Sequence, residues 1–334
     1  MANEVIQVTG LTKAFDELIA VNNANFMVSE GEVFGFLGPN GAGKTTTINM
    51  LTTVLKPSAG SARVCGFEIA KEPRNVRRCI GVVPQEYTAD EDLTGEENLM
   101  ICAQLYDVPK EEARNRIEEL LNLVQLQDAR SRKVETYSGG MRRRLELAAG
   151  LINHPKVLFL DEPTLGLDVQ TRTAVWEYIR LLKERYKMTL FMTTHYLEEA
   201  DAVCDRIAII DHGRIVVIDT PQALKDRLGG DVIEIRVEGG STEELAASLR
   251  QISGVREVTQ NDGTYKVKAL NGDETAPEIL DKIHRLGLKI TRISLTKPTL
   301  DEAYLELTGK SLRDEEGSRD DSLRRRVTLR RART

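Results

Sequence analysis

The chain has 334 residues, with 46 Lys and Arg against 52 Asp and Glu, and a formal net charge of −6. Hydrophobic content of 41% and charged content of 29% fit a globular chain with a real core, long enough for two domains. The mildly acidic balance gives no sign of a nucleic-acid partner, and no apolar run reaches membrane-spanning length. The opening MANEVIQV lacks a charged-then-apolar signal segment, so the protein is expected to stay where it is made unless a partner tethers it. Cys65, Cys79, Cys102 and Cys204 are far apart without metal spacing, which predicts reduced thiols in a cytosolic compartment.

Residues 4–36 read as edge strands joined by polar turns, with Ser29-Glu30-Gly31-Glu32 as a turn signal. Phe15, upstream of the next motif, either stacks on a base or packs into the core. Residues 32–37 read as a short buried strand, and a helix is expected over 46–55. Between them runs GPNGAGKTT, which is Gly38, Pro39, Asn40, Gly41, Ala42, Gly43, Lys44, Thr45 and Thr46. It fits G-x-x-x-x-G-K-[ST] in the strand–loop–helix context that the motif requires. Glycines let successive N–H groups turn toward a phosphate chain, and the helix N-terminus adds its positive end. Lys44 would reach the β and γ phosphates, and the Thr45 hydroxyl would hold Mg²⁺.

Further along, SARVCGFEI reads as a hairpin, and residues 79–84 read as a buried strand ending at Gln85. An amide past a strand's carboxyl end can reach a nucleotide or its metal, or simply lie on the surface. Residues 94–126 turn helical, with Ile117, Leu120, Leu121 and Val124 on one face that is expected to be core. Tyr137-Ser138-Gly139-Gly140-Met141 opens another helix, as an anion-ready N-terminus or an ordinary cap. Residues 157–160 form an apolar strand run ending in Asp161-Glu162-Pro163. There Asp161 could hold Mg²⁺ through water, while Glu162 orients and deprotonates an attacking water. As strand neighbours, the two acids are expected on opposite faces. A helix over 171–186 and a strand over 189–194 complete a right-handed crossover, placing His195 on the sheet edge of Glu162, within reach of a γ-phosphate. A hairpin around Asp211-His212-Gly213 and a short helix in PQALKDRL close this part.

Residues 231–295 spell βαββαβ, the order of a split ferredoxin-like unit. No catalytic cluster occurs there, and His284 lies within an amphipathic helix. A folding or dimer-contact module is the main reading, with small-ligand sensing as the alternative. After Gly309 the chain is charged and poor in apolar residues, which predicts disorder. Its basic end, SLRRRVTLRRART, reads as a solvated tail or a contact with anionic lipid.

Residues 4–228 resemble the ATP-binding cassette (ABC) ATPases, on GPNGAGKTT, Gln85, YSGGM, VLFLDEP, LGLD and His195 in family order and spacing. The fold implied is α/β, a P-loop NTPase cassette of mixed sheet with a helical subdomain, plus a small α+β ferredoxin-like C-terminal domain. The boundaries drawn are 1–228 for the cassette, about 86–150 for the helical subdomain, 229–308 for the accessory domain and 309–334 for the tail. By this resemblance Lys44, Thr45 and Thr46 bind phosphates and Mg²⁺, and Gln85 senses the metal and the attacking water. Asp161 becomes the metal-side acid, Glu162 the general base and His195 the γ-phosphate switch. Ser138, Gly139 and Gly140 bind the ATP held by the other subunit, Asp168 joins that interface, and Phe15 matches the adenine-stacking aromatic. Tyr137 in place of Leu and Met141 in place of Gln depart from the commoner signature, with altered packing or partner contact as the expected consequence. The resemblance implies ATP and Mg²⁺ as ligands and a head-to-tail homodimer. It also implies a separately encoded transmembrane permease, whose coupling helix docks near LTGEENL, and a place at the cytoplasmic face of the membrane. Residues 297–309 resemble the end of daunorubicin-resistance-type drug-export ATPases, which implies export of drug-like or lipid-like compounds. The alternative is a soluble ABC-type ATPase acting on ribosomes or nucleic acid, although such members carry a second cassette or long coiled coils.

Overall fold

The computed structural model describes residues 3–238, 243–261, 263–309 and 312. The chain divides into two compact units, one running to Asp219 and the other from Thr220 to Ser311.

The first unit opens with two long antiparallel strands, β1 (Glu4–Phe15) and β2 (Leu18–Ser29). β3 (Val33–Leu37) is buried along its whole length and feeds the glycine loop and α1 (Lys44–Leu51). This helix begins and ends earlier than the pattern suggested: Thr52 caps it, and Thr53 sits in the left-handed region at φ 66. β4 (Ala59–Val64) and β5 (Phe67–Glu68) form the expected hairpin. α2 (Pro73–Cys79), which the pattern did not reveal, then leads into β6 (Ile80–Val83). The helical insertion follows as α3 (Gly95–Leu105), α4 (Lys110–Leu123) and α5 (Gly139–Leu151). Ile117, Leu120, Leu121 and Val124 are buried, as their spacing requires. β7 (Val157–Asp161), α6 (Val169–Tyr186) and β8 (Thr189–Thr194) make the parallel crossover. α7 (Leu197–Val203), also unforeseen, precedes β9 (Arg206–Asp211) and β10 (Arg214–Asp219). Both unforeseen helices have seven residues, too few to show a helical period.

A six-stranded sheet runs β10-β9-β3-β8-β7-β6, parallel except for the β9–β10 hairpin. A second, antiparallel sheet runs β2-β1-β4-β5. Side chains of both fill one core, which also takes Ile48, Met50 and Leu51 from α1. At its centre Phe191 lies 5.5 Å, ring to ring, from Phe36 and from Phe159, and 5.7 Å from Phe34. This packing sets the strands whose carboxyl ends carry the glycine loop, Gln85, Asp161 and His195.

The second unit begins with α8 (Pro221–Asp226), which packs against α11, defined below, rather than closing the cassette. The compact division thus falls nine residues before the boundary drawn from sequence at 228/229. β11 (Asp231–Val237), α9 (Glu243–Arg250), β12 (Val255–Asn261), β13 (Thr264–Ala269), α10 (Gly272–Arg285) and β14 (Ile290–Thr296) realise βαββαβ. The sheet order β12-β13-β11-β14, antiparallel throughout, is ferredoxin-like. α11 (Leu300–Thr308) starts on a Thr299–Glu302 capping box. Beyond Gly309 the tail, Leu312 apart, lies outside the described residues.

Phe191→Ala is expected to remove about 3–5 kcal/mol of stability, since the ring has five-ångström aromatic neighbours on several strands that cannot all collapse into the void. Urea unfolding checks it. A loss under 1 kcal/mol would mean that the two sheets repack freely.

Candidate functional site

The glycine loop connects the buried β3 to α1. Gly43 takes φ 108, and a Cβ there would lie 2.4 Å from the Ala20 carbonyl oxygen, so only glycine fits. α1 starts at this glycine with no side-chain cap. Its first N–H groups are thus left for an anion. Lys44 is 4% exposed, and its ammonium donates to the carbonyls of Gly38 at 2.8 Å and Pro39 at 3.2 Å.

The same ammonium lies 3.1 Å from Glu162 Oε1, and Glu162 Oε2 lies 3.0 Å from His195 Nδ1. Asp161 Oδ1 accepts from Thr45 Oγ1 at 3.2 Å and from the Thr193 hydroxyl. Opposite faces were expected for the two acids, but both address the glycine loop, at adjacent residues. The reason is local: β7 ends at Asp161, and Glu162 takes φ 47, which breaks the pleat. Thr193 holds that turn, accepting from Glu162 N at its hydroxyl (3.0 Å) and carbonyl (3.2 Å). Burial pushes the Asp161 pKa up, partly offset by the hydrogen bonds from Thr193 and Thr45. Burial also opposes ionisation of Glu162, but the His195 hydrogen bond and the Lys44 charge prevail and hold its pKa below the ordinary value.

The other predicted residues fall into separate places. Gln85 follows β6 with an exposed side chain, and its carbonyl accepts from Arg143 Nη2 at 3.0 Å. Phe15 is 42% exposed with the Lys13 ammonium 4.9 Å from its ring, so it is not a core residue. Ser138 and Gly139 are exposed too. A Cβ on Gly140 would meet Thr171 Cγ2 at 2.6 Å, and Thr171 bonds Asp168 through its N–H (2.9 Å) and hydroxyl (2.8 Å). The glycine signature and Asp168 therefore adjoin one another, while the recorded hydrogen bonds join neither to Lys44 among the described residues. Asp168 caps α6, which is why that helix starts at Val169 and not at Thr171. Tyr137 is buried and donates to the Ala129 carbonyl at 2.7 Å, so its departure from the commoner Leu anchors the signature to the helical insertion.

Sequence reasoning missed four buried residues. Thr193 was hidden inside an apolar strand run. Glu199 on α7 is fully buried and accepts from Thr164 Oγ1 at 2.8 Å and Trp176 Nε1 at 3.1 Å, tying the segment after Glu162 to the helix after His195. Burial pushes its pKa up. Arg143 and Glu146 on α5 carry charges within a helix, yet they are 1% and 3% exposed. No pattern signals burial of a charge in an amphipathic helix.

The ABC transporter family pattern matches residues 21–165, and that of the DrrA1-3-like ATP-binding protein C-terminal domain matches residues 220–308. The chain is 42% identical to the daunorubicin/doxorubicin resistance ATP-binding protein DrrA of Streptomyces peucetius, over 91% of this chain and 92% of that one. It is 36% identical to the linearmycin resistance ATP-binding protein LnrL of Bacillus subtilis, over 93% of this chain and all of that one. The ATP-binding cassette MJ0796, in a dimeric post-hydrolysis state with ADP and Pi, superposes with a TM-score of 0.59 at 27% identity, over 64% of this chain and 98% of that one. The chain belongs to the ABC transporter family, as an ATP-binding, ATP-hydrolysing subunit of one of its transporters. Within that family its C-terminal domain is DrrA-like. The soluble ribosome or nucleic-acid reading is not favoured, because these relatives are resistance proteins and another, the Nod factor export ATP-binding protein I of a Rhizobium species, 36% identical over 93% of this chain and 99% of that one, is an export protein.

Glu162→Gln leaves Lys44 without its buried counter-charge, and the nucleotide-free protein is expected to lose about 1–3 kcal/mol. The folded pKa of Glu162 lies below the unfolded value of about 4.3, so the wild-type advantage is complete above that pH and is lost as pH falls through the folded pKa. Urea titrations at pH 7 and at steps below about pH 4.3 should show the gap closing. A gap independent of pH would mean that Glu162 is not ionised against Lys44.

Proposed function

We propose that the chain drives export of a drug-like or lipid-like compound through a separately encoded membrane permease, as one half of a head-to-tail homodimer at the cytoplasmic face of the membrane. The relatives named for drug resistance and for Nod factor export support the cargo class. No helix among the described residues is long and apolar enough to cross a membrane, in keeping with a separate permease. The chemistry belongs to the cassette, and the βαββαβ unit serves as a folding or dimer-contact module.

The observation that carries the reading is the cluster of Lys44, Glu162 and His195 beside Thr45 and Asp161. Residues 38–46 hold the phosphate chain through backbone N–H groups, Lys44 and the Thr46 hydroxyl, and Phe15 stacks on the adenine. When phosphate oxygens draw the Lys44 ammonium, Glu162 Oε1 is left to accept the proton of the attacking water. His195 keeps Oε2 in place and reaches toward the γ-phosphate. A hydroxyl and a carboxylate oxygen 3.2 Å apart suit a small hard cation, and no cluster of three acids, His or Cys offers a closed cage among the described residues. Thr45, Asp161 and Gln85 would hold Mg²⁺, which supplies neutralisation of the charge on the β and γ phosphates. Ser138, Gly139 and Gly140 of one chain face the ATP of the other, with Asp168 at the same interface. The exposure of Ser138, Gly139 and Asp168, and the lack of a hydrogen bond from them to Lys44 of their own chain among the described residues, support that division of labour.

ATP turnover per chain should rise with protein concentration and fall by about 10²–10⁴ in Glu162→Gln. Light scattering should find that variant dimeric with Mg-ATP. A concentration-independent rate, or a monomeric variant, would sink the paired-site reading, and co-purification with ribosomes or DNA instead of a multi-span membrane protein would sink the transport role.

A further inference from the structure

The segment after β6 has to carry Gln85 away from the sheet and reach α3 without regular structure. Across residues 84–89, no loop hydrogen bond runs from backbone to backbone among the described residues. Charges on α5 serve those groups instead. Arg143 donates from Nη1 to the Pro84 carbonyl at 2.8 Å and from Nη2 to the Gln85 carbonyl at 3.0 Å. Glu146 Oε1 accepts from the N–H of Thr88 at 2.6 Å and of Ala89 at 2.9 Å, and Oε2 accepts from the Thr88 hydroxyl at 2.8 Å. Between these two grips, the Arg143 guanidinium lies 5.4 Å from the Tyr87 ring, and Tyr87 Oη donates to the Gly139 carbonyl at 3.3 Å.

An exposed loop can satisfy its backbone with water, so two buried charges are not needed for packing alone. Three residues apart, Arg143 and Glu146 share a helix face. The guanidinium fork on two successive carbonyls fixes both the position and the tilt of the peptide that bears Gln85, which a lysine point charge would not do. The same helix presents residues 138–140 at its N-terminus.

We propose that Arg143 and Glu146 are positioning residues for Gln85. The inference rests on the reading above, in which Gln85 serves its own site and residues 138–140 serve the other chain's ATP.

A double-mutant cycle on the full chain tests it. Arg143→Gln is expected to lower kcat for Mg-ATP by roughly 10- to 100-fold, as a misplaced positioning group does, with KM changed less than threefold. On a Gln85→Ala background the same change should cost less than about twofold more, whereas on a Ser138→Ala background the losses should multiply. Arg143→Lys should restore little, and Glu146→Gln should repeat the pattern more mildly, which keeps the test open if Arg143→Gln does not fold. Multiplication with Gln85→Ala, together with no added loss over Ser138→Ala, would make Arg143 a support for its own signature and overturn the proposal. Undiminished turnover in Gln85→Ala alone would instead overturn the site reading beneath it.

Discussion

Opposite charges buried together at 3.1 Å, Lys44 and Glu162, constrain everything else at the sheet edge. Taking two ions from water costs about as much as their attraction returns, so such a pair is poor evidence of stability and must be sustained by its surroundings. Here the surroundings are explicit: carbonyls of Gly38 and Pro39 take the remaining ammonium protons, and His195 engages the second carboxylate oxygen. Each partner comes from the carboxyl end of a different strand or from the loop after it. The aromatic core under β3, β7 and β8 is therefore what holds the charges within bonding distance.

The helical insertion follows a different logic. It leaves the sheet through a segment with little backbone pairing and returns through α5, whose buried Arg143 and Glu146 replace the missing ladder. Asn98 does likewise for Asp90, accepting from its N–H at 2.8 Å and donating to its carbonyl at 3.0 Å. A loop satisfied by side chains of one helix moves with that helix. Polar side-chain clamps thus fix the geometry of the segment relative to α5, which a water-satisfied loop would not give.

Much of this was legible in the chain. The glycine loop, the buried runs ending at Gln85, Asp161 and His195, and the βαββαβ order all rest on apolar runs, glycine spacing or alternation, which are local signals. What escaped depends on neighbours distant in sequence. Glu162 looked like the next pleat of β7, yet its positive φ turns it to Lys44, and only the Thr193 contact on the adjacent strand enforces that turn. Arg143, Glu146 and Glu199 carry charges in helices, where periodicity assigns charge to solvent. The end of the first unit was misjudged for the same reason, because the affiliation of α8 is settled by packing on α11, some eighty residues later in the chain.

The second unit strikes a different balance. Ile233, Ile235, Tyr265, Val267, Leu245, Leu249, Ile279 and Ile283 build a core of their own, without a buried charge among them. Its open sheet face pairs charges across strands, Lys266 with Glu234 at 2.6 Å and Lys268 with Glu257 at 3.2 Å. Such solvent-screened pairs add little to stability and hold nothing in a reactive geometry. In the cassette, Lys44, Arg143 and Glu146 are buried and bonded to backbone where the chain turns; in the accessory unit one half-buried carboxylate does this, Asp231 Oδ2 accepting from Gly272 N at 2.7 Å, while the Lys266–Glu234 and Lys268–Glu257 pairs lie at the surface of an apolar core. That contrast in where charge is placed assigns the chemistry to the cassette, and leaves the second unit the work that a stable, polar-faced module can do.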